Sequence, residues 1–189
     1  MAIKIYVDQG HNPRDYNTGA EGNGYLEQDI TYRIGKLLEG YLRDDPSFAV
    51  RVSRPTADTI LGTSNSSSLS ARVNDANAWG ADLFVSLHTN ASVDTSANGA
   101  ECLIYNYSAT EAYAAAEDIL TQLVLITGLK RRGIIERPGL YVLRKTAMPA
   151  VVVEMGFITN ASDVSLMVNS PWLFARGVYR GILEYYGLL

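Results

Sequence analysis

The stretch that most constrains the fold is Phe84-Val85-Ser86-Leu87-His88-Thr89-Asn90, a short apolar run closing on one of only two histidines in the chain. The other, His11, closes a matching run, Ile3-Lys4-Ile5-Tyr6-Val7-Asp8-Gln9-Gly10. A third run, Val151-Val152-Val153, ends on the carboxylate of Glu154. Short apolar runs bounded by turn residues read as buried strands, and strands buried on both faces need helices over both. In such sheets ligands bind beyond the carboxyl ends of the strands. Three strands that each deliver a metal-ligand type or an acid at that end point to a single site.

The remaining chain supplies the helices. Residues 3–8 alternate and stop at Gly10 as a first strand, and His11 to Gly24 is an Asn-, Asp- and Gly-rich loop. Asn23 is placed to cap a helix from about Tyr25 to Arg43, with Ile30, Ile34, Leu37, Leu38, Tyr41 and Leu42 on one face. Phe48–Ser53 reads as a strand, Pro55–Ser68 as an exposed loop, and Ser70–Trp79 as a helix closed by Gly80. Further strands are expected at Asp82–His88, Ala100–Asn106, Leu140–Leu143 and Val151–Glu154, with Gly128–Pro138 as a connection. Helices are expected at Ala109–Thr127 and from Pro171, a good first-turn residue, to Tyr185. The interleaving predicts a three-layer α/β domain with much of its sheet parallel.

At 189 residues the chain suits one domain, residues 1–189. A net charge of −4 and a pI near 5.2 lack the basic footprint that nucleic-acid binding needs. The one basic cluster, Lys130-Arg131-Arg132 near Glu136 and Arg137, reads as a solvated loop. Cys102 is the single cysteine, which excludes an internal disulfide and any cysteine-built zinc cluster; a buried small hydrophobe is its expected role. No run reaches the roughly 20 apolar residues of a membrane span. Met1-Ala2-Ile3-Lys4 reads as the opening of a strand and not as a signal peptide.

Two histidines and a carboxylate are a standard catalytic zinc set, with the fourth position kept for water. A metal here uses both histidines, and the third ligand must be an acid reaching the same corner. Glu27, in the first turn of the helix after the His11 loop, is the best placed, with Asp8, Asp15, Glu21 and Asp29 as competitors. Glu154 then remains as the acid or base, its pKa raised by apolar surroundings. Each residue also has a plainer reading. A strand-end histidine is often simply hydrogen-bonded, a first-turn acid complements the helix dipole, and Glu154 has arginines to pair with.

Longer blocks carry a resemblance. Asp8-Gln9-Gly10-His11, then Thr18–Gly24 and Glu27, open a series that continues through Arg72–Asn77, Ala81–Ala91, Gly99-Ala100-Glu101, Leu140–Arg144 and Pro149–Asn160. In this order they resemble the zinc-dependent N-acetylmuramoyl-L-alanine amidases (the amidase-3 family) over nearly the whole chain. The resemblance implies a central, mostly parallel six-stranded sheet between helices. It implies zinc held by His11, Glu27 and His88, with Glu154 as the catalytic carboxylate that activates water. The reaction implied is hydrolysis of the amide between N-acetylmuramic acid and L-alanine of the peptidoglycan stem peptide. Asn90, Glu101 and Arg144 are then expected around the substrate, and Arg72 is expected to be structural.

Gln9 and Asn12-Pro13 depart from the family pattern beside His11 without removing it. Two alternatives stand beside the amidase: a zinc carboxypeptidase-like peptidase, and a non-catalytic peptidoglycan-binding module on the same fold. A monomer acting on the cell wall is expected, with peptidoglycan as partner. It reaches the wall either by endolysin-like release or as a trimmed domain of an exported protein.

Overall fold

The structure is a computed structural model describing all 189 residues. In chain order the elements are β1 (Ile3–Gln9), β2 (Glu21–Gly22), β3 (Tyr25–Leu26), α1 (Glu27–Asp44), β4 (Phe48–Val52) and α2 (Asn65–Trp79). Then come β5 (Leu83–Asn90), β6 (Ala100–Ile104), α3 (Thr110–Thr127), β7 (Arg131–Glu136), α4 (Tyr141–Lys145), β8 (Ala150–Phe157), α5 (Ala161–Asn169) and α6 (Pro171–Tyr185). Six strands form one sheet in the order β4-β1-β5-β8-β6-β7, and β2 and β3 form a small separate hairpin. Every neighbouring pair in the large sheet is parallel except β6–β8.

The side-chain period of two divides this sheet between two cores. Ile5, Val7, Val85, Leu87, Cys102, Ile104, Val151 and Val153 pack with α1, α3, α5 and α6. Tyr6, Phe84, Leu103, Ala150 and Val152 face the other way, onto Val73 and Ala76 of α2 and Val142 and Leu143 of α4. By the same alternation Asp8, Ser86, His88, Glu101 and Glu154 belong to the α2–α4 face. The polar residues of four strands are thus gathered on one side of the sheet, at one end. No helix is long and apolar enough to cross a membrane.

The three-layer α/β architecture and the count of six strands agree with expectation, but one member differs. Leu140–Leu143 is not a strand: residues 141–145 form α4. The sixth strand is Arg131–Glu136, within the stretch expected to be a connection. Neither segment carries a clean period. β7 is an edge strand whose first two residues are exposed, and its apolar content is the single pair Ile134-Ile135, too short a run to mark a strand. Its arginines are accordingly not a solvated loop: Arg131 pairs with Glu117 at 2.6 Å and Arg132 with Glu101 at 2.8 Å.

Three local differences have clear causes. Helix α1 starts at Glu27 because Tyr25 and Leu26 are taken by the hairpin with Glu21 and Gly22. Asn23 sits in that turn with φ 52° and donates its side-chain amide to the Ile158 carbonyl, so it caps no helix. Helix α2 begins at Asn65, inside the expected loop, because Ser64 and Ser67 form a reciprocal capping box. Helix α5 was not anticipated, although Asn160 caps it through the amides of Ser162 and Asp163. Cys102 is fully buried as expected, and burial pushes its thiol pKa up.

Candidate metal centre and active site

His11 lies just past β1 in the left-handed region, with φ 69°. Its Nδ1 is 3.1 Å from the Asn17 carbonyl, which as acceptor fixes the proton on Nδ1 and leaves Nε2 free as a ligand. That Nε2 is 3.2 Å from Glu27 Oε1. His88, near the end of β5, brings Nδ1 to 3.0 Å from the same oxygen. The two imidazoles meet edge to face, with centroids 4.8 Å apart.

Glu27 is the first residue of α1, where the helix dipole favours a negative charge. It is 4% exposed, and both oxygens accept backbone bonds: Oε2 from Ala20 N at 2.8 Å and Oε1 from Thr89 N at 2.9 Å. Burial alone would raise its pKa, but the hydrogen bonds and charge of His11 and His88 hold the carboxyl far below its usual range. The same carboxylate, working against burial, raises His88. Among the competing acids, Asp15, Glu21 and Asp29 are exposed, and Asp8 is buried against Arg72 at 2.5 Å.

His11, Glu27 and His88 form a group able to hold a metal ion, with ligand atoms all within 4.8 Å of one another. The donor set suits zinc. A tetrahedral centre with bonds of about 2.0–2.1 Å separates its donors by about 3.3 Å. The observed spacings of 3.0 and 3.2 Å from Glu27 Oε1 are close to that value.

Glu154 is the register partner of His88 across the parallel β5–β8 pair. Its Oε2 is buried and has no hydrogen-bond partner. Desolvation raises its carboxyl pKa to about 7, with the neighbouring His88 pulling the other way. A carboxyl so poised exchanges protons readily near neutral pH. Both histidines and Glu154 line one cavity of about 370 Å³, whose walls include Leu103, Val152, Leu140, Tyr141 and Arg137.

The outer residues divide. Asn90 Nδ2 donates to Glu101 Oε1 at 2.9 Å, and Arg132 Nε donates to Glu101 Oε2 at 2.8 Å. Glu101 is the antiparallel register partner of Glu154 and 5% exposed, so these two residues buttress the floor beside Glu154. Arg144 is exposed on α4 and lines a separate cavity with Tyr105, Met148 and Pro149. Two arginines line the metal-group cavity, the buried Arg72 and the exposed Arg137. The backbone N–H of Arg137 donates to the Ile104 carbonyl at 2.8 Å, and its Nη1 to the Glu136 carbonyl at 3.0 Å. Sequence reasoning passed over Arg137 as part of a solvated cluster. The Pro138-Gly139 pair that turns the chain toward α4 was the available signal.

The chain is similar to several known proteins. The chain is 36% identical over 185 residues to the N-acetylmuramoyl-L-alanine amidase LytC of Bacillus subtilis (strain 168), covering 96% of this chain and 35% of that protein. It is 32% identical to the N-acetylmuramoyl-L-alanine amidase CwlM of Bacillus licheniformis, over 98% of this chain and 70% of the relative. The crystal structure of an N-acetylmuramoyl-L-alanine amidase from Clostridium difficile 630 superposes with a TM-score of 0.88 at 30% identity, covering 98% of this chain and 97% of that one. A family model described as N-acetylmuramoyl-L-alanine amidase matches residues 5–184, and on that footing the chain belongs to the N-acetylmuramoyl-L-alanine amidase family.

Proposed function

We propose that this chain is a zinc-dependent peptidoglycan amidase that hydrolyses the amide joining N-acetylmuramic acid to L-alanine of the stem peptide. The observation that carries the reading is the pairing of His88 with Glu154: a ligand-type imidazole and an unpartnered buried carboxylate sit side by side over one cavity. Family membership supports the bond that is cleaved.

In this reading His11 Nε2, Glu27 and His88 Nδ1 hold zinc. Bound there, the metal supplies Lewis acidity, which polarises the scissile carbonyl and acidifies the attacking water. Glu154 acts as general base toward that water and then returns the proton to the departing alanine amine. Its poorly solvated carboxyl suits both directions of transfer. Asn90 and Arg132 hold Glu101 below Glu154, which keeps a second carboxylate out of the proton path. Leu140 and Tyr141 give the cavity an apolar rim for the glycan or peptide, and Arg137 supplies a cation not engaged by any carboxylate. Arg144 is assigned to substrate only where the peptide extends past α4. The whole site is carried by one domain, residues 1–189, with the cell wall as its place of action.

The test is purified peptidoglycan incubated with wild type and with Glu154→Ala, each analysed for bound metal. New alanine N-termini and intact glycan strands from the wild type alone, with stoichiometric zinc in both, are the expected result. Cleavage elsewhere in the stem peptide, or none by a zinc-loaded wild type, would overturn the assignment.

A further inference from the structure

Arg72 of α2 is 2% exposed and belongs to no part of the mechanism above. Its Nη1 donates to Asp8 Oδ1 at 2.5 Å and to the Gln9 carbonyl at 2.7 Å. Its Nη2 donates to the His11 carbonyl at 2.7 Å and to Asn12 Oδ1 at 3.1 Å. Asp8 is anchored in turn by the Ser86 hydroxyl, at 2.7 Å from Oδ2. Neutralising a buried guanidinium needs only one carboxylate, and Asp8 provides it. The second nitrogen has no acid at all and is given to the backbone and side chain of the loop that carries His11. Nη1 also lies 3.4 Å from the Ser53 hydroxyl, and Nε has no partner.

That loop needs holding. His11 stands at φ 69°, a region that costs a residue with a Cβ free energy and persists only where the surroundings impose it. Its ring orientation is set by the direction of its Cα–Cβ bond, and hence by that dihedral. Relaxation of φ to negative values would swing Nε2 away from Glu27 and His88. The carbonyls of Gln9 and His11, two residues apart, both turn toward one planar guanidinium, and this fixes the 9–10 and 11–12 peptide units, the second of which directly follows the His11 Cα.

We propose that Arg72 is a positioning residue for the metal group: by gripping the Gln9 and His11 carbonyls in one fork, it holds His11 in the left-handed conformation that presents Nε2 to the ion. The inference rests on the metal reading given above and adds a determinant of affinity that lines the same cavity but makes no hydrogen bond to a ligand atom of His11, Glu27 or His88. Lysine cannot replace the fork, because an ammonium on a flexible stem lacks the planar pair of nitrogens that spans both carbonyls. Partners that orient a ligand typically account for about 10–100-fold in metal affinity.

The experiment measures zinc affinity of the chelator-stripped full chain by competition with a chromophoric chelator. It compares wild type, Arg72→Lys, Asp8→Asn and Ile119→Val. Ile119 is buried on α3, away from the metal group, so its variant reports the effect of lost core packing alone. Expected is a 10–100-fold weaker zinc affinity in folded Arg72→Lys, a smaller loss in Asp8→Asn, and wild-type affinity in Ile119→Val. Should Arg72→Lys fail to fold, Asp8→Asn decides by the same readout. Unchanged affinity in the folded variants overturns the proposal, as does an equal loss in Ile119→Val. A wild type that binds no zinc overturns the metal reading itself, and is recognised before any variant is compared.

Discussion

His88 and Glu154 are direct neighbours across the parallel β5–β8 ladder, both on the face of the sheet that α2 and α4 cover. The register places an imidazole that contacts Glu27 beside a carboxylate whose buried Oε2 has no hydrogen-bond partner, so the two acids on either side of His88 have opposite electrostatic fates. Glu27 is held ionised by two histidines and two backbone amides, whereas burial drives Glu154 toward its neutral form.

The Glu154 shift has a stability consequence in the metal-free protein. Its folded pKa of about 7 lies above the ordinary 4.5, so the folded state holds this proton more tightly than the unfolded one. The contribution of this group is fully present below about pH 4.5 and is lost as pH rises through 7. At 1.36 kcal/mol per pH unit the loss amounts to about 3 kcal/mol. Glu154→Gln in chelator should therefore melt higher than wild type at pH 8 and alike at pH 4.5. Equal melting temperatures at pH 8 would refute the burial argument.

Glu27 offers two acceptor oxygens to two backbone N–H groups, and glutamine offers one. In Glu27→Gln the amide nitrogen must face either Ala20 N or Thr89 N, leaving buried donors unsatisfied at a cost of about 1–3 kcal/mol. A lower melting temperature is expected even in chelator, together with loss of stoichiometric metal by elemental analysis.

Gly10 is packed against the second histidine. A Cβ there would stand 2.5 Å from the Leu87 carbonyl oxygen and 2.6 Å from His88 Cε1. The carbonyl belongs to the sheet and cannot yield, so the ring must move. Gly10→Ala should cost about 1–3 kcal/mol of stability and weaken metal binding, both read by thermal melts with and without added zinc. A variant that matches wild type in both would show that the strand end is softer than its packing implies.

Arg137 lines the cavity and has no carboxylate partner. Arg137→Ala is expected to raise KM for a substrate bearing a stem-peptide carboxylate by about 10-fold, in line with a charged hydrogen bond of about 1.5–3 kcal/mol screened at an exposed site. Zinc content should be unchanged, and steady-state kinetics on soluble muropeptides makes the measurement. An effect confined to kcat would place the residue in the chemistry and not in binding.

The sequence by itself determined the three apolar strands, the polar residue at the end of each, and with them the α/β layering. These signals are local: buried strands need continuous apolar runs, and the two histidines and Glu154 are numbered along the chain at the points where those runs stop. Family blocks added Glu27 as ligand, a choice that periodicity alone left among five acids. The tertiary structure decided what depends on contacts between distant segments. β7 took the place of an expected connection and α4 that of an expected strand, because an edge strand is specified by its pairing with β6 and here carries only the short apolar pair Ile134-Ile135. Asp8 and His11 lie at the end of β1 and Arg72 on α2, and their joining required β1 to be seated beside β5 with α2 laid over it. The burial that sets the protonation of Glu154 likewise exists only once the sheet is closed from both sides.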